Sequence, residues 1–381
     1  MDGWKVGVLH SQTGCLAISE IGPLNGTLMA IDEINAAGGV DGRLIEPVIL
    51  DTESDDKKSA KLAKKLIEEE SINVVFGGYT SASRKAMLPV IEKSDSLLFY
   101  PLFYEGFELS DNVFYNGACP NQYSVPLSEY LFKNYGNQCY LIGSNYIFPR
   151  ESNRILRDLA VQNGGKILAE KYVSLTAKHD VFESIIQDIA RLKPDVVIST
   201  IVGDGIVNLY SAFLEAGLSS SDIPIASMVT SEIEIEEMGY AAAAGHIVAA
   251  SYFDTIKSPQ NAKFVKNYKN KFGKTKRTNM CVESAYCQVH LFAQALNITQ
   301  SMNTKLLRSA VLGSQFNAPQ GRIRMDGENH HAHLWSRIGQ INKDGAVEIV
   351  AETTGAIEPD PFMVHHAAEG WSPSSKTGTA K

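Results

Sequence analysis

What this 381-residue chain lacks excludes several functions before any motif is considered. It has no run of about 18 apolar residues, so no segment reads as a membrane-spanning helix. Its opening, MDGWKVGVLHS, passes almost directly into a strand, without the apolar stretch of a secretory leader. The five cysteines, at positions 15, 119, 139, 281 and 287, are odd in number and contain no Cys-x-x-Cys. That argues against a zinc ribbon and a complete disulfide framework, and free buried thiols are expected. Cations are in deficit: 35 Lys and Arg stand against 43 Asp and Glu, for a net charge of −8. A nucleic-acid partner is therefore not expected, because a phosphate backbone calls for clustered positive charge. The densest basic run, Lys266 to Arg277, reads as a solvated helix face and loop.

Enzyme signatures are missing too. There is no Gly-x-Ser-x-Gly elbow, no His-Glu-x-x-His and no Walker sequence. Gly203-Asp204-Gly205 lacks the third glycine of a dinucleotide fingerprint. His330, His331 and His333 cluster, but no carboxylate or cysteine sits near them at ligand spacing, so neither a metal nor another cofactor is expected. An amide hydrolase would need a nucleophile with a base in reach, and Cys15 and Cys119 show no such partner. The chain is not expected to be an enzyme.

What is present is alternation. Strand-like runs at 4–11, 45–54, 72–81 and 96–101 are separated by helical patterns at 22–39, 57–71 and 82–94. The pattern resumes with strands at 137–148, 166–175, 195–205 and 223–231 and helices between them. Such alternation predicts βαβ units and parallel sheets, and its recurrence predicts an α/β protein of two doubly wound lobes. Helices at 262–273, 283–299 and 303–314 follow, then strands at 321–326, 332–342 and 346–353. The small, polar segment 369–381 reads as a flexible tail.

In doubly wound sheets, ligands sit beyond the carboxyl ends of strands. Several predicted strand ends carry unusual residues. Gly77-Gly78-Tyr79-Thr80-Ser81 offers close backbone approach, hydroxyls and free amides. The next, LLFYPLFYEGFE, crowds five rings into a chain that is only 9% aromatic; Tyr100 heads it and Leu102 follows. The third is GSNYIFPRES, with Tyr146. Gly203 and Thr230 occupy corresponding places further on. Hydroxyls, amides and rings, with no cationic cluster, suit a small neutral polar ligand.

These stretches, in order, resemble the urea and short-chain amide receptors of type I periplasmic-binding-protein fold. The resemblance rests on VGVLHSQTG, AIDEINAAGGVDGRLIEPV, VVFGGYTSASRKAMLPV, LLFYPLFYEG, ACPNQ, YIFPRESNRILR, DVVISTIVGD and NHHAHL, and spans residues 4 to 365. It implies a ligand held between two lobes that close on it, with Ser81, Tyr100 and Tyr146 as contacts. It also implies three crossovers, near 119–121, 250 and 325. The lobes are then 1–119 with 251–325, and 120–250 with 326–368. Leu102 stands where the amide-sensing regulators carry Thr and the urea receptors an aliphatic residue, whereas VTSEIE looks more like the regulators. Urea and acetamide both remain as ligands. Two roles remain as well: a periplasmic receptor that serves an ABC permease, its leader absent from this sequence, or an amide-sensing regulator or sensory domain, cytoplasmic in the first case. A homodimer is compatible with either.

Overall fold

The computed structural model describes residues 3–366; the expected tail at 369–381 lies outside the described residues. The chain begins with β1 (Trp4–His10), α1 (Ala17–Ala36), β2 (Ile45–Asp51), α2 (Asp56–Glu68), β3 (Val74–Gly77), α3 (Ser81–Lys93), β4 (Leu97–Tyr100) and β5 (Val113–Tyr115). All five strands run parallel in the order β2-β1-β3-β4-β5. Residues such as Val6, Val74, Val75, Leu97 and Leu98 are wholly buried, as befits strands covered on both faces. Helix α3 runs unbroken through Pro89.

The second sheet begins after α4 (Pro120–Asn134). It is built from β6 (Gln138–Ser144), α5 (Ile147–Gln162), β7 (Lys166–Val173), α6 (His179–Leu192), β8 (Val196–Thr200), α7 (Asp204–Glu215), β9 (Ile225–Ser227), α8 (Glu232–Met238), α9 (Tyr240–Ala243) and β10 (Ile247–Ala250). The chain then returns to the first lobe with α10 (Pro259–Phe272), α11 (Met280–Thr299) and α12 (Thr304–Val311). Helix α11 packs along α1; most of α11 and half of α1 are buried. A small antiparallel sheet follows, of β11 (Gln315–Ala318), β12 (Gly321–Met325) and β13 (Ala332–His333). Finally β14 (Arg337–Ile341) and β15 (Val347–Glu352) join the second sheet antiparallel, giving the order β15-β14-β10-β9-β8-β6-β7.

The α/β reading of two doubly wound lobes with three crossovers describes this fold. One boundary is corrected. The third passage between lobes lies between His333 and Arg337, not near 325, and the run 332–342 is two strands in two different sheets. Residues 326–333 are held to the first lobe by side chains. Asp326 accepts from the backbone N–H groups of Glu328 and Asn329 and pairs with His333 at 2.9 Å. The His331 ring stacks on Tyr115 at 4.2 Å, and residues 115 and 331 form a β-bridge.

Each lobe reverses its strand order at one point. In the first, β2 and β3 flank β1; in the second, β7 and β8 flank β6. At such a switch point the connections leave in opposite directions and open a crevice at the strand ends. The segments after β3 and β6, residues 78–81 and 145–146, are the first and third stretches singled out above.

Candidate ligand cleft

Gly77 ends β3 with φ +128°, and a Cβ there would sit 2.0 Å from the Leu9 carbonyl oxygen. Glycine is required for this approach of β3 to β1. The turn that follows leads into α3. Thr80 is its N-cap: its hydroxyl accepts from the Ser83 N–H at 2.9 Å and donates to Asp56 at 3.2 Å. Ser81, the first helical residue, is buried and its hydroxyl donates to Glu105. A hydroxyl has one proton and two lone pairs. With the proton given to Glu105 and Arg84 Nη1 donating to its oxygen at 3.4 Å, Ser81 keeps one lone pair.

Tyr100 closes β4 and is wholly buried; its hydroxyl donates to the Tyr79 carbonyl at 2.8 Å. The Arg84 guanidinium lies 4.6 Å from the Tyr100 ring centre and 4.5 Å from that of Tyr104. It is fully buried, yet paired: Nε donates to Glu108 at 2.6 Å and Nη2 reaches Glu105 at 3.5 Å. Lys85 adds a 2.6 Å contact to Glu108. Burial favours the neutral carboxyl, but Arg84 outweighs it and pulls Glu108 down to about 2. Two cations thus meet two carboxylates, and this cluster has no net charge. The expectation of no cationic cluster is corrected in its reason: cations are present behind Tyr100, but they are spoken for.

The five rings of residues 97–108 do not share one environment. Phe99 packs in the core against Phe76, Phe114 and Phe292. Phe107 is instead 41% exposed, has φ +57° and lies under Arg154 of the second lobe at 5.1 Å. The turn at Gly106, φ +76°, carries it outward. Leu102 is 1% exposed and belongs to the core.

Second-lobe residues approach these groups. Tyr146 is the N-cap position of α5 and is half-buried. Burial, then the nearby Tyr100 hydroxyl and Glu105 carboxylate, hold its phenol well above the ordinary range. Its electrostatic neighbours are therefore first-lobe groups. Gly203, φ +62°, brings its backbone to first-lobe residues: a Cβ would meet the Cys15 carbonyl at 3.1 Å and Leu16 at 3.3 Å. Thr230 does not reach across. It is buried within the second lobe, its hydroxyl 3.3 Å from that of Tyr210.

Sequence reasoning missed Glu105 and Glu234. Glu234 is buried on α8, where it caps Ser231 and accepts from Ser19 of α1 at 2.8 Å. Asn279 donates to Ser231 at 2.7 Å, a second bond between lobes. Burial raises the Glu234 pKa, and the hydroxyls of Ser231 and Ser19 offset part of that rise. Tyr79, half-buried, has a phenol raised by burial and by the proximity of Cys281, Glu234 and Tyr146. The pattern Ser231-x-x-Glu234 is a capping box, the one local signal that could have marked Glu234. Its partner Ser19 is 215 residues away and leaves no such signal. The groups at the cleft thus include hydroxyls, tyrosines and the carboxylates of Asp56, Glu105 and Glu234.

The model of the periplasmic binding protein domain matches residues 4–368. The chain belongs to this family. Within it, a Leu/Ile/Val-binding protein homolog of Brucella melitensis is 23% identical over 390 residues, covering 93% of this chain and 92% of that one. A solute-binding protein of an ABC transporter from Rhodopseudomonas palustris, solved with 3,4-dihydroxybenzoic acid, superposes with a TM-score of 0.85 at 23% identity, covering 94% of this chain and 99% of that one. A leucine-binding protein from Thermotoga maritima gives 0.80 at 19% identity, with 92% and 98% covered. A shorter stretch of 128 residues, 34% of this chain, is 30% identical to limonene hydroxylase from Geobacillus stearothermophilus; it spans 23% of that protein. The whole-length matches are binding proteins. As a member of this family the chain is a binding protein, not an enzyme. Among the described residues, no helix is long and apolar enough to cross a membrane.

Proposed function

We propose that the protein is a periplasmic solute receptor that captures urea, or an acetamide-sized amide, between its lobes and delivers it to an ABC permease. Ser81 and Tyr100 from the first lobe and Tyr146 from the second are the proposed contacts, with Tyr79 beside them. The observation that carries this reading is the charge balance of the cleft. The cations beside Ser81 and Tyr100, Arg84 and Lys85, are engaged by Glu108 and Glu105, and the groups added by the second lobe are a phenol and the Glu234 carboxylate. A carboxylate ligand such as a benzoate or an amino acid would meet negative charge without a free cation, at a cost that burial magnifies. An amide presents N–H donors, which carboxylates, phenol oxygens and the Ser81 lone pairs can accept. Urea, with donors on both sides, fits better than acetamide. Isothermal calorimetry with urea, acetamide, formamide, leucine and benzoate tests this. Binding of urea and acetamide with silence from leucine and benzoate is expected. Binding of leucine or benzoate without any amide response would overturn it.

A further inference from the structure

The outer face of the first lobe holds a cavity of about 510 Å³, away from the cleft. Its walls come from α1, α10, α11 and β11, all on the first-lobe side. Four rings line it in one connected group. Phe316 stacks on His290 at 4.8 Å and 9°, Tyr286 lies 4.4 Å from His290, and Phe264 lies 4.8 Å from Tyr286. Two polar groups converge on this wall. The Glu33 carboxylate is held in place by the Tyr286 hydroxyl at 2.7 Å and the Asn267 amide at 2.6 Å. A carboxylate accepts about four hydrogen bonds, so capacity is left over. His290 Nε2 is enclosed and has no hydrogen-bond partner. Burial pulls the His290 pKa down to about 4, against the pull of Glu33, so at neutral pH the ring is uncharged.

We propose that this cavity is a second ligand site that takes a small aromatic amine, its ring against the Phe316–His290–Tyr286 wall and its ammonium on Glu33. The volume lies within the range of small-molecule pockets, about 300–1,000 Å³. Aromatic rings attract both a flat apolar ligand and a cation. The carboxylate fixes the sign of the charge the ligand carries. Lys263 stands at the exposed rim, where its charge is screened by solvent.

The test uses the full chain and tryptamine, followed by calorimetry. 3-Methylindole keeps the ring without the amine, and indole-3-acetate reverses the charge. Saturable tryptamine binding at submillimolar concentration is expected, with both analogues at least about tenfold weaker. Glu33→Gln and Phe316→Ala should each weaken tryptamine by about tenfold or more, while calorimetric melting shows both variants folded. Because the wall lies outside the cleft, saturating urea should leave tryptamine binding unchanged. Three results would overturn the proposal: no tryptamine binding at millimolar concentration, binding indifferent to both variants in folded protein, or displacement by urea. The outcome at Glu33 is read whether or not the cleft binds urea.

Discussion

Ser81 shows how one atom's role depends on its neighbours. Its proton goes to Glu105 and the Arg84 guanidinium reaches its oxygen at 3.4 Å, which leaves one lone pair for the proposed ligand. A urea-sized ligand is almost all polar surface, so its affinity comes from groups placed in advance. Losing one partner leaves a buried polar atom unsatisfied, at about 1–3 kcal/mol. Ser81→Ala and Tyr146→Phe should each weaken urea binding about 5- to 150-fold, with the fold intact. Calorimetric titration measures this, and two variants that bind urea and acetamide like the parent would remove both residues from the proposed site. Arg84 belongs to a different class. It is wholly buried between Tyr100 and Tyr104 and neutralises Glu108. Arg84→Met would leave the buried carboxylates of Glu105 and Glu108 with only the partly exposed Lys85 to offset them, at up to about 3–5 kcal/mol. A marked fall in the melting temperature is expected, and an unchanged melting curve would contradict the pairing.

At the scale of elements, α3 links stability to the site. Thr80 caps the helix, and Ser81, its first residue, is a proposed ligand contact. Removing a threonine cap costs about 0.5–2 kcal/mol. Thr80→Ala should lower stability by that amount and also weaken ligand binding, because the position of Ser81 depends on the cap. The unfolding series should use guanidinium: urea as denaturant would bind the native state and mask the loss. If stability falls but urea affinity holds, the first turn of α3 does not set the geometry of the cleft.

For the whole molecule, contacts such as Ser19–Glu234 and Asn279–Ser231 join the lobes directly, while three chain passages hold them together. Hinge closure is the expected response to ligand. Small-angle scattering should give a smaller radius of gyration with urea present than without it; a larger one would contradict closure. Stability against pH is a second global property. Burial pulls His246 and His331 down to about 3 from 6.5, and Arg84 pulls Glu108 down to about 2 from 4.5. The His246 Nδ1 accepts from the Ile225 N–H, a bond that protonation there would break. Each of these groups binds fewer protons folded than unfolded, so the stability it contributes is lost as pH falls: for the histidines from 6.5 toward 3, for Glu108 from 4.5 toward 2. Buried Glu234 and Glu283 are shifted up by desolvation, and their contributions grow as pH falls toward 4.5. The two sets oppose each other above about pH 4.5 and only the first acts below it. Melting temperatures should therefore change little between pH 6.5 and 4.5 and drop steeply below; an even decline over the whole range would show that the carboxyls do not offset the histidines.

The sequence alone determined the type of most elements, because period and punctuation are local; short strands such as β5 and β10 were not legible in it. Strands and helices alternate from β1 to β4 and again from β6 to β9, glycine pairs such as Gly77-Gly78 break strands at their ends, and hydroxyls and rings follow those breaks. It also placed Ser81, Tyr100 and Tyr146 beside strand or helix ends. The tertiary structure decided what depends on distant partners. Arg84 finds Glu108 across 24 residues and Ser19 finds Glu234 across 215. Phe107 turns outward while Phe99 joins a core of rings from three other elements. The run from Ala332 to Ile341 reads as one strand by its pattern, yet divides between sheets, because His331 and His333 are held by Tyr115 and Asp326 while Arg337 pairs with β10. The charge a ligand meets in the cleft follows from those pairings, and no local spacing encodes them.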